Sequence, residues 1–217
     1  MARELDGPRL EPRGRPPTAL VVLVHGYGAN GDDLIALGDA WRGTLPEVAF
    51  VAPNAPEAIA GMQGGLQWFA LTLRDPREYW RGVMAAQPAF DSFLDRELAR
   101  YRLASDRLVL VGFSQGTMMA LHVGLRRGVA PAGILGYSGL LAGPEHLDQV
   151  KVRPPVLLIH GEEDDLIPVD ALHIAREQLA KAEVPVEWHV RTALGHGIDP
   201  AGQWMGGSFI AQVLRKS

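Results

Sequence analysis

The sequence predicts an α/β fold, a mostly parallel central sheet with helices on both faces, and two observations carry that expectation. Four short runs rich in branched aliphatic residues, Leu20 to Val24, Val48 to Ala52, Leu108 to Val111 and Val156 to His160, are each soon followed by Gly, Pro or Asn. Near-continuous apolar strands of this kind suit a sheet covered on both faces. Segments with helical periodicity lie between them, and strand alternating with helix points to right-handed crossovers joining parallel neighbours.

In chain order, residues 1–17 carry four Arg and four Pro with no continuous apolar stretch. That segment lacks the apolar stretch of a secretory signal and leads into the fold. Leu20 to Val24 is the first strand, and Asp32 to Trp41 is a helix with Asp32 and Asp33 in its first turn. After the strand Val48 to Ala52 comes Pro53 to Ala86, which has no clear periodicity and contains Gly61, Gly64 and Gly65 ahead of Leu66, Trp68 and Phe69. A loop that long in a compact domain is usually functional. A helix over Ala89 to Arg102, the strand Leu108 to Val111 and a helix over Gln115 to Arg127 follow. Ala132 to Tyr137 is an apolar strand broken by Gly, and Val156 to His160 precedes a helix over Asp170 to Ala182. Val186 to Arg191 alternates as a half-exposed strand does, and Gln203 to Arg215 closes the chain as a helix, giving about six strands.

A length of 217 residues suits one domain spanning 1–217. The formal net charge of −4, with no Lys/Arg-rich block, leaves nothing to neutralise a phosphate backbone, so no nucleic-acid partner is expected. The apolar runs are far too short to cross a bilayer, and the expected compartment is the cytoplasm. The chain has no Cys, which excludes disulfides, thiolate nucleophiles and Cys-ligated metals. No metal or organic cofactor is expected, and a homodimer is compatible with the sequence.

Gly112-Phe113-Ser114-Gln115-Gly116 directly follows one strand and directly precedes a helix. A Gly-x-Ser-x-Gly elbow needs small flanking residues because the turn is too sharp for a Cβ there, and it holds the serine strained with its Oγ exposed. With 25 Gly in 217 residues and six Ser, chance supplies about 0.08 such patterns before the strand and helix are required, so a capping serine in a Gly-lined turn is the lesser reading. A serine hydroxyl is inert at neutral pH without a base. Of the seven His, His196 stands in a Gly-flanked loop after the last strand, the place of the base when the chain order is Ser, acid, His. His122 lies within a helix, His146 and His173 in polar surroundings, and His189 along a strand, all ordinary settings. Glu162, Glu163, Asp164 and Asp165 end the strand before His196 and offer four carboxylates for the acid that orients it. The loop His25 to Gly31 enters a helix, so its amides can meet an oxyanion, with Tyr27 and Gln115 N–H as the donor pair. The same loop reads Gly26-x-Gly28-x-x-Gly31, a formal dinucleotide fingerprint, but the next strand ends in Pro53-Asn54 where that fingerprint needs an acid. A non-catalytic or dinucleotide-binding module is therefore the alternative to an enzyme.

Leu23-Val24-His25-Gly26-Tyr27-Gly28, the Ser114 elbow, His160-Gly161-Glu162-Glu163-Asp164 through Pro168, and Gly195-His196 resemble the carboxylesterase, lysophospholipase and acyl-protein thioesterase family of α/β-hydrolases. The resemblance runs from Leu20 to the C-terminus. It implies an α/β-hydrolase fold with no large cap domain, and cleavage of a small-molecule acyl ester, thioester or lysophospholipid through an acyl-enzyme. It implies Ser114 as nucleophile, Asp164 as acid, His196 as base, and the Tyr27 and Gln115 amides at the oxyanion. Gln67-Trp68-Phe69 is similar to the family's aromatic segment in the acyl-binding region, which makes Leu66, Trp68 and Phe69, with Phe113 and Ile167, the expected substrate contacts. One departure is Asp165, which stands where many members have Pro and adds a negative charge beside the acid.

Overall fold

The computed structural model describes residues 4–12, 14–72, 75 and 77–216. Its main sheet has seven strands in the order β1-β3-β2-β6-β7-β8-β9. The apolar runs form β2 (Ala19–Val24), β3 (Val48–Val51), β6 (Leu108–Phe113), β7 (Gly133–Tyr137) and β8 (Val156–Gly161), the alternating segment forms β9 (Val186–Arg191), and these six strands run parallel to one another. Leu20, for example, faces Ala49 on one side and Leu108 on the other. Alternate β2 side chains serve opposite faces. Leu20, Val22 and Val24 join a core with Phe90, Met119 and Leu172, whereas Ala19, Val21 and Leu23 join one with Leu34, Trp41 and Phe209. The helices therefore divide, with α2 (Arg77–Tyr101), α3 (Gln115–Gly124) and α4 (Asp170–Lys181) on the first face and α1 (Gly31–Trp41) and α5 (Pro200–Lys216) on the second. Among the described residues no helix is long and apolar enough to cross a membrane.

Three elements depart from the sequence reading. The Arg/Pro-rich segment contributes β1 (Arg9–Leu10), antiparallel to β3, held by the Arg9 guanidinium on the buried Glu97 carboxylate of α2 at 2.7 and 3.0 Å. A charged pair 88 positions apart leaves no local sequence signal. Helix α2 begins at Arg77 rather than Ala89 and runs through Pro88, because Val83, Ala86, Phe90, Phe93, Leu94 and Leu98 make one continuous buried face. Burial of that stripe outweighs the missing N–H at Pro88. The rest of the long unpatterned stretch carries a two-stranded ribbon, β4 (Glu57–Ala58) with β5 (Leu66–Gln67). The ribbon docks on the loop after β2, since Gly28 N–H donates to the Leu66 carbonyl (2.9 Å) and Leu66 N–H to the Ala29 carbonyl (3.1 Å).

Candidate active site

β3 lies on one side of β2 and β6 on the other, so the chain reverses its winding there and leaves a crevice at the C-terminal ends of β2 and β6. The loop from His25 to Asn30 and the Ser114 elbow border that crevice. A Cβ on Gly116 would overlap the Val24 carbonyl oxygen, and one on Gly112 would overlap the Gly116 backbone, so close approach dictates both glycines. Ser114 itself sits at φ 55°, ψ −118°, a conformation that costs about 1–3 kcal/mol in a non-glycine residue. Neighbouring contacts enforce it: Ser114 N–H donates to the Tyr137 carbonyl (2.9 Å), which also accepts the Thr117 hydroxyl (2.8 Å), and Thr117 N–H donates to the Ser114 carbonyl (2.9 Å).

Of the four carboxylates after β8, only Asp164 is buried, at 5% exposure, while Glu162, Glu163 and Asp165 face solvent. Its Oδ1 accepts the backbone N–H groups of Leu166 (3.1 Å) and Ile167 (2.9 Å). Its Oδ2 lies 2.7 Å from His196 Nδ1. An ionised carboxylate only accepts, so Nδ1 carries the proton and Nε2 is left as the basic nitrogen. Buried His160 stands behind the acid, its Nε2–H donating to the Ile167 carbonyl (2.7 Å) and lying 3.2 Å from Asp164 Oδ2. Ser138, at the end of β7, donates its hydroxyl to the Gly197 carbonyl (3.3 Å), and the Phe113 ring lies 5.0 Å from the His196 ring. The strand that receives Ser114 N–H therefore also tethers the His196 loop.

Among the described residues no protein acceptor takes the N–H of Tyr27 or of Gln115, so both donors are free at the crevice. The Gln115 side chain is buried and reaches the opposite way, accepting Trp68 N–H (2.9 Å) and donating to the Phe69 carbonyl (2.8 Å). Trp68 Nε1–H donates to the His25 carbonyl (3.0 Å). Trp68 and Phe69 are core residues, 2% and 4% exposed, with Trp68 packed edge-on against Phe90, so the aromatic segment backs the elbow from inside. Leu66 and Ile167 are half-buried, and Phe113 lines an open cleft. Sequence reading did not assign His160, Ser138 or the Gln115 side chain. A histidine ending an apolar strand directly before the acidic turn was the available signal for His160.

The loop Gly26 to Gly31 has little to offer a pyrophosphate. Gly31 N–H donates to Asn54 Oδ1 (2.8 Å), and Asp32 and Asp33 N–H donate to Asn30 Oδ1 (2.9 and 3.3 Å), so the amides at the start of α1 are already engaged. His25 receives Ala55 N–H on Nε2 (3.0 Å), places Nδ1–H on the Gly26 carbonyl (2.8 Å) and is held below the usual histidine range by burial. Among the described residues no group of three or more His, Asp or Glu side chains converges to hold a metal ion.

Residues 5–213 match the phospholipase/carboxylesterase family. Acyl-protein thioesterase 1 of Gibberella zeae is 30% identical over 213 residues, covering 89% of each chain, and esterase YpfH of Escherichia coli is 27% identical over 187 residues, covering 85% of this chain and 78% of its own. The crystal structure of esterase PE8 superposes with a TM-score of 0.94 at 39% identity, over 98% of this chain and all of that one. The chain belongs to the phospholipase/carboxylesterase family of α/β-hydrolases and is itself a hydrolase.

Proposed function

We propose that this protein hydrolyses carboxylic esters through an acyl-enzyme on Ser114, with His196 as general base and acid and Asp164 as the acid that orients it. The 2.7 Å contact between a buried carboxylate and His196 Nδ1 carries the reading, because it leaves Nε2 as the unprotonated, basic nitrogen of the ring, and the strained elbow at Ser114 supports it. His196 Nε2 takes the Ser114 proton as Oγ bonds to the acyl carbon, and the Tyr27 and Gln115 amides bind the oxygen that becomes negative. His196 then gives that proton to the leaving oxygen as the ester bond breaks. Water repeats the sequence: His196 takes its proton, its oxygen attacks the acyl carbon, and Ser114 regains a proton as the carboxylic acid departs. Preformed donors need no reorganisation, and each removed donor in such a site costs about 2.7–4 kcal/mol of barrier. The same steps cleave a thioester, the bond class in the name of the Gibberella zeae relative.

Hydrolysis of p-nitrophenyl acetate tests this. A rapid release of about one equivalent of p-nitrophenol before the steady rate, lost in Ser114→Ala, is the expected result. A folded Ser114→Ala protein that keeps most of the steady rate would contradict it.

A further inference from the structure

An open cleft of about 360 Å³ adjoins the candidate active site on the α1/α5 side of the sheet. Gly26 and Phe113 bring it to the elbow: a Cβ on Gly26 would lie 3.1 Å from Ser114 Cβ and 3.3 Å from the Phe113 ring. Phe113 also packs against the His196 ring, and Ile198 and Gln203, which follow His196 in the chain, form another wall. Leu34, Ala36 and Leu37 of α1 complete the apolar lining. We propose that this cleft is the leaving-group subsite and receives the apolar alcohol portion of an ester; the inference rests on the Ser114–His196 reading above.

Two arguments select this occupant. His196 Nε2 must donate its proton to the leaving oxygen, so the alcohol lies on the His196 side of the acyl carbon, where Phe113, Ile198 and Gln203 stand. The charge of the lining excludes a phosphorylated alcohol. Among the described residues no Lys or Arg lines it, Asp33 supplies a carboxylate already accepting the Asn30 N–H (2.9 Å), and His25 is buried and held neutral. A lysophospholipid headgroup there would be desolvated without a cation, whereas an alkyl or aryl alcohol gains apolar contact. The space suits a medium alkyl chain or a single aromatic ring.

The test varies each half of the substrate separately, because kcat/KM reports acylation, the only step in which the alcohol is present. Acetates of methanol, butanol and hexanol form one series, and methyl esters of acetic, butyric and hexanoic acid the other. Ala36 is exposed on α1, so Ala36→Trp should fold and project a ring into the cleft. The hexyl-to-methyl ratio of kcat/KM across the acetates should fall about tenfold or more, with the acyl-length ratio unmoved. Leu37→Ala should shift the preferred alcohol toward longer chains. Two results would overturn the subsite: acyl-length ratios that respond in place of alcohol ratios, or neither responding while hydrolysis stays dependent on Ser114. A wild-type kcat/KM for a lysophosphatidylcholine matching that for hexyl acetate would overturn the assigned class. Ester hydrolysis that survives Ser114→Ala would instead remove the mechanism on which the subsite stands.

Discussion

Asp164 and His196 meet through a single 2.7 Å hydrogen bond that joins a buried carboxylate to a partly exposed imidazole. Because the other Asp164 oxygen is fixed by two backbone N–H groups, the carboxylate cannot turn away from the ring. Asp164→Asn should therefore lower kcat by about 10³- to 10⁴-fold, since an amide can present N–H to Nδ1 and reverse the tautomer. Asp165→Asn, Glu162→Gln and Glu163→Gln remove solvated charges and should each keep most of the activity. Measured kcat values for the four variants decide it, and an inactive Asp165→Asn beside a mild Asp164→Asn would pass the role to Asp165.

On the proposed mechanism Ser114 and His196 serve one step, so their losses should not add. Each single alanine variant should lower kcat by at least about a thousandfold, and the double variant should fall little further. Multiplying losses in steady-state kinetics would mean the two residues serve separate steps.

Strain at Ser114 is a stability cost that glycine relieves. At φ 55° and ψ −118°, Ser114→Gly should unfold at higher denaturant than Ser114→Ala, with a difference on the order of 1–2 kcal/mol, although both should be inactive. Equal midpoints at equal m-values would show that the backbone turn is unstrained.

His122 gives a pH dependence of stability. It is buried on α3, donates Nε2–H to Gln87 Oε1 (2.9 Å), has an unpartnered Nδ1, and burial pushes its pKa down to about 3 with the Arg126 charge assisting. The unfolded chain takes up a proton near pH 6.5, whereas the folded chain does not until about pH 3, so the native state loses stability as pH falls across that window. The slope from this group is at most about 1.4 kcal/mol per pH unit. His25, lowered for the same reason, adds in the same direction. Urea unfolding between pH 7 and 4 should show a shallower slope in His122→Phe than in the wild type, and an unchanged slope would refute the assignment.

The parallel sheet was legible because β2, β3, β6, β7 and β8 are covered on both faces and read as apolar runs while β9 alternates as a half-exposed strand, and the elbow because its steric demands fall on five consecutive residues. Pro88 concealed the first turns of α2, where burial of a tertiary face overrides a local breaker. Four adjacent carboxylates look alike in sequence, and only folding buries Asp164 among them. Trp68 and Phe69 were expected to contact substrate, yet hydrogen bonds with Gln115, 47 and 46 positions away, hold them in the core. The Ser138 tether on Gly197 likewise joins residues 59 positions apart, whereas His160 clamps a carbonyl only seven positions along the same acid turn.

The central claim is that Ser114 is an activated nucleophile, and covalent labelling with a fluorophosphonate, read by mass spectrometry of the digested protein, tests it most directly. One adduct per chain should form within minutes on the peptide containing Ser114, vanish in Ser114→Ala and slow by orders of magnitude in His196→Ala. Adduct on a different serine, or an unlabelled wild-type protein that still hydrolyses esters, would contradict the account.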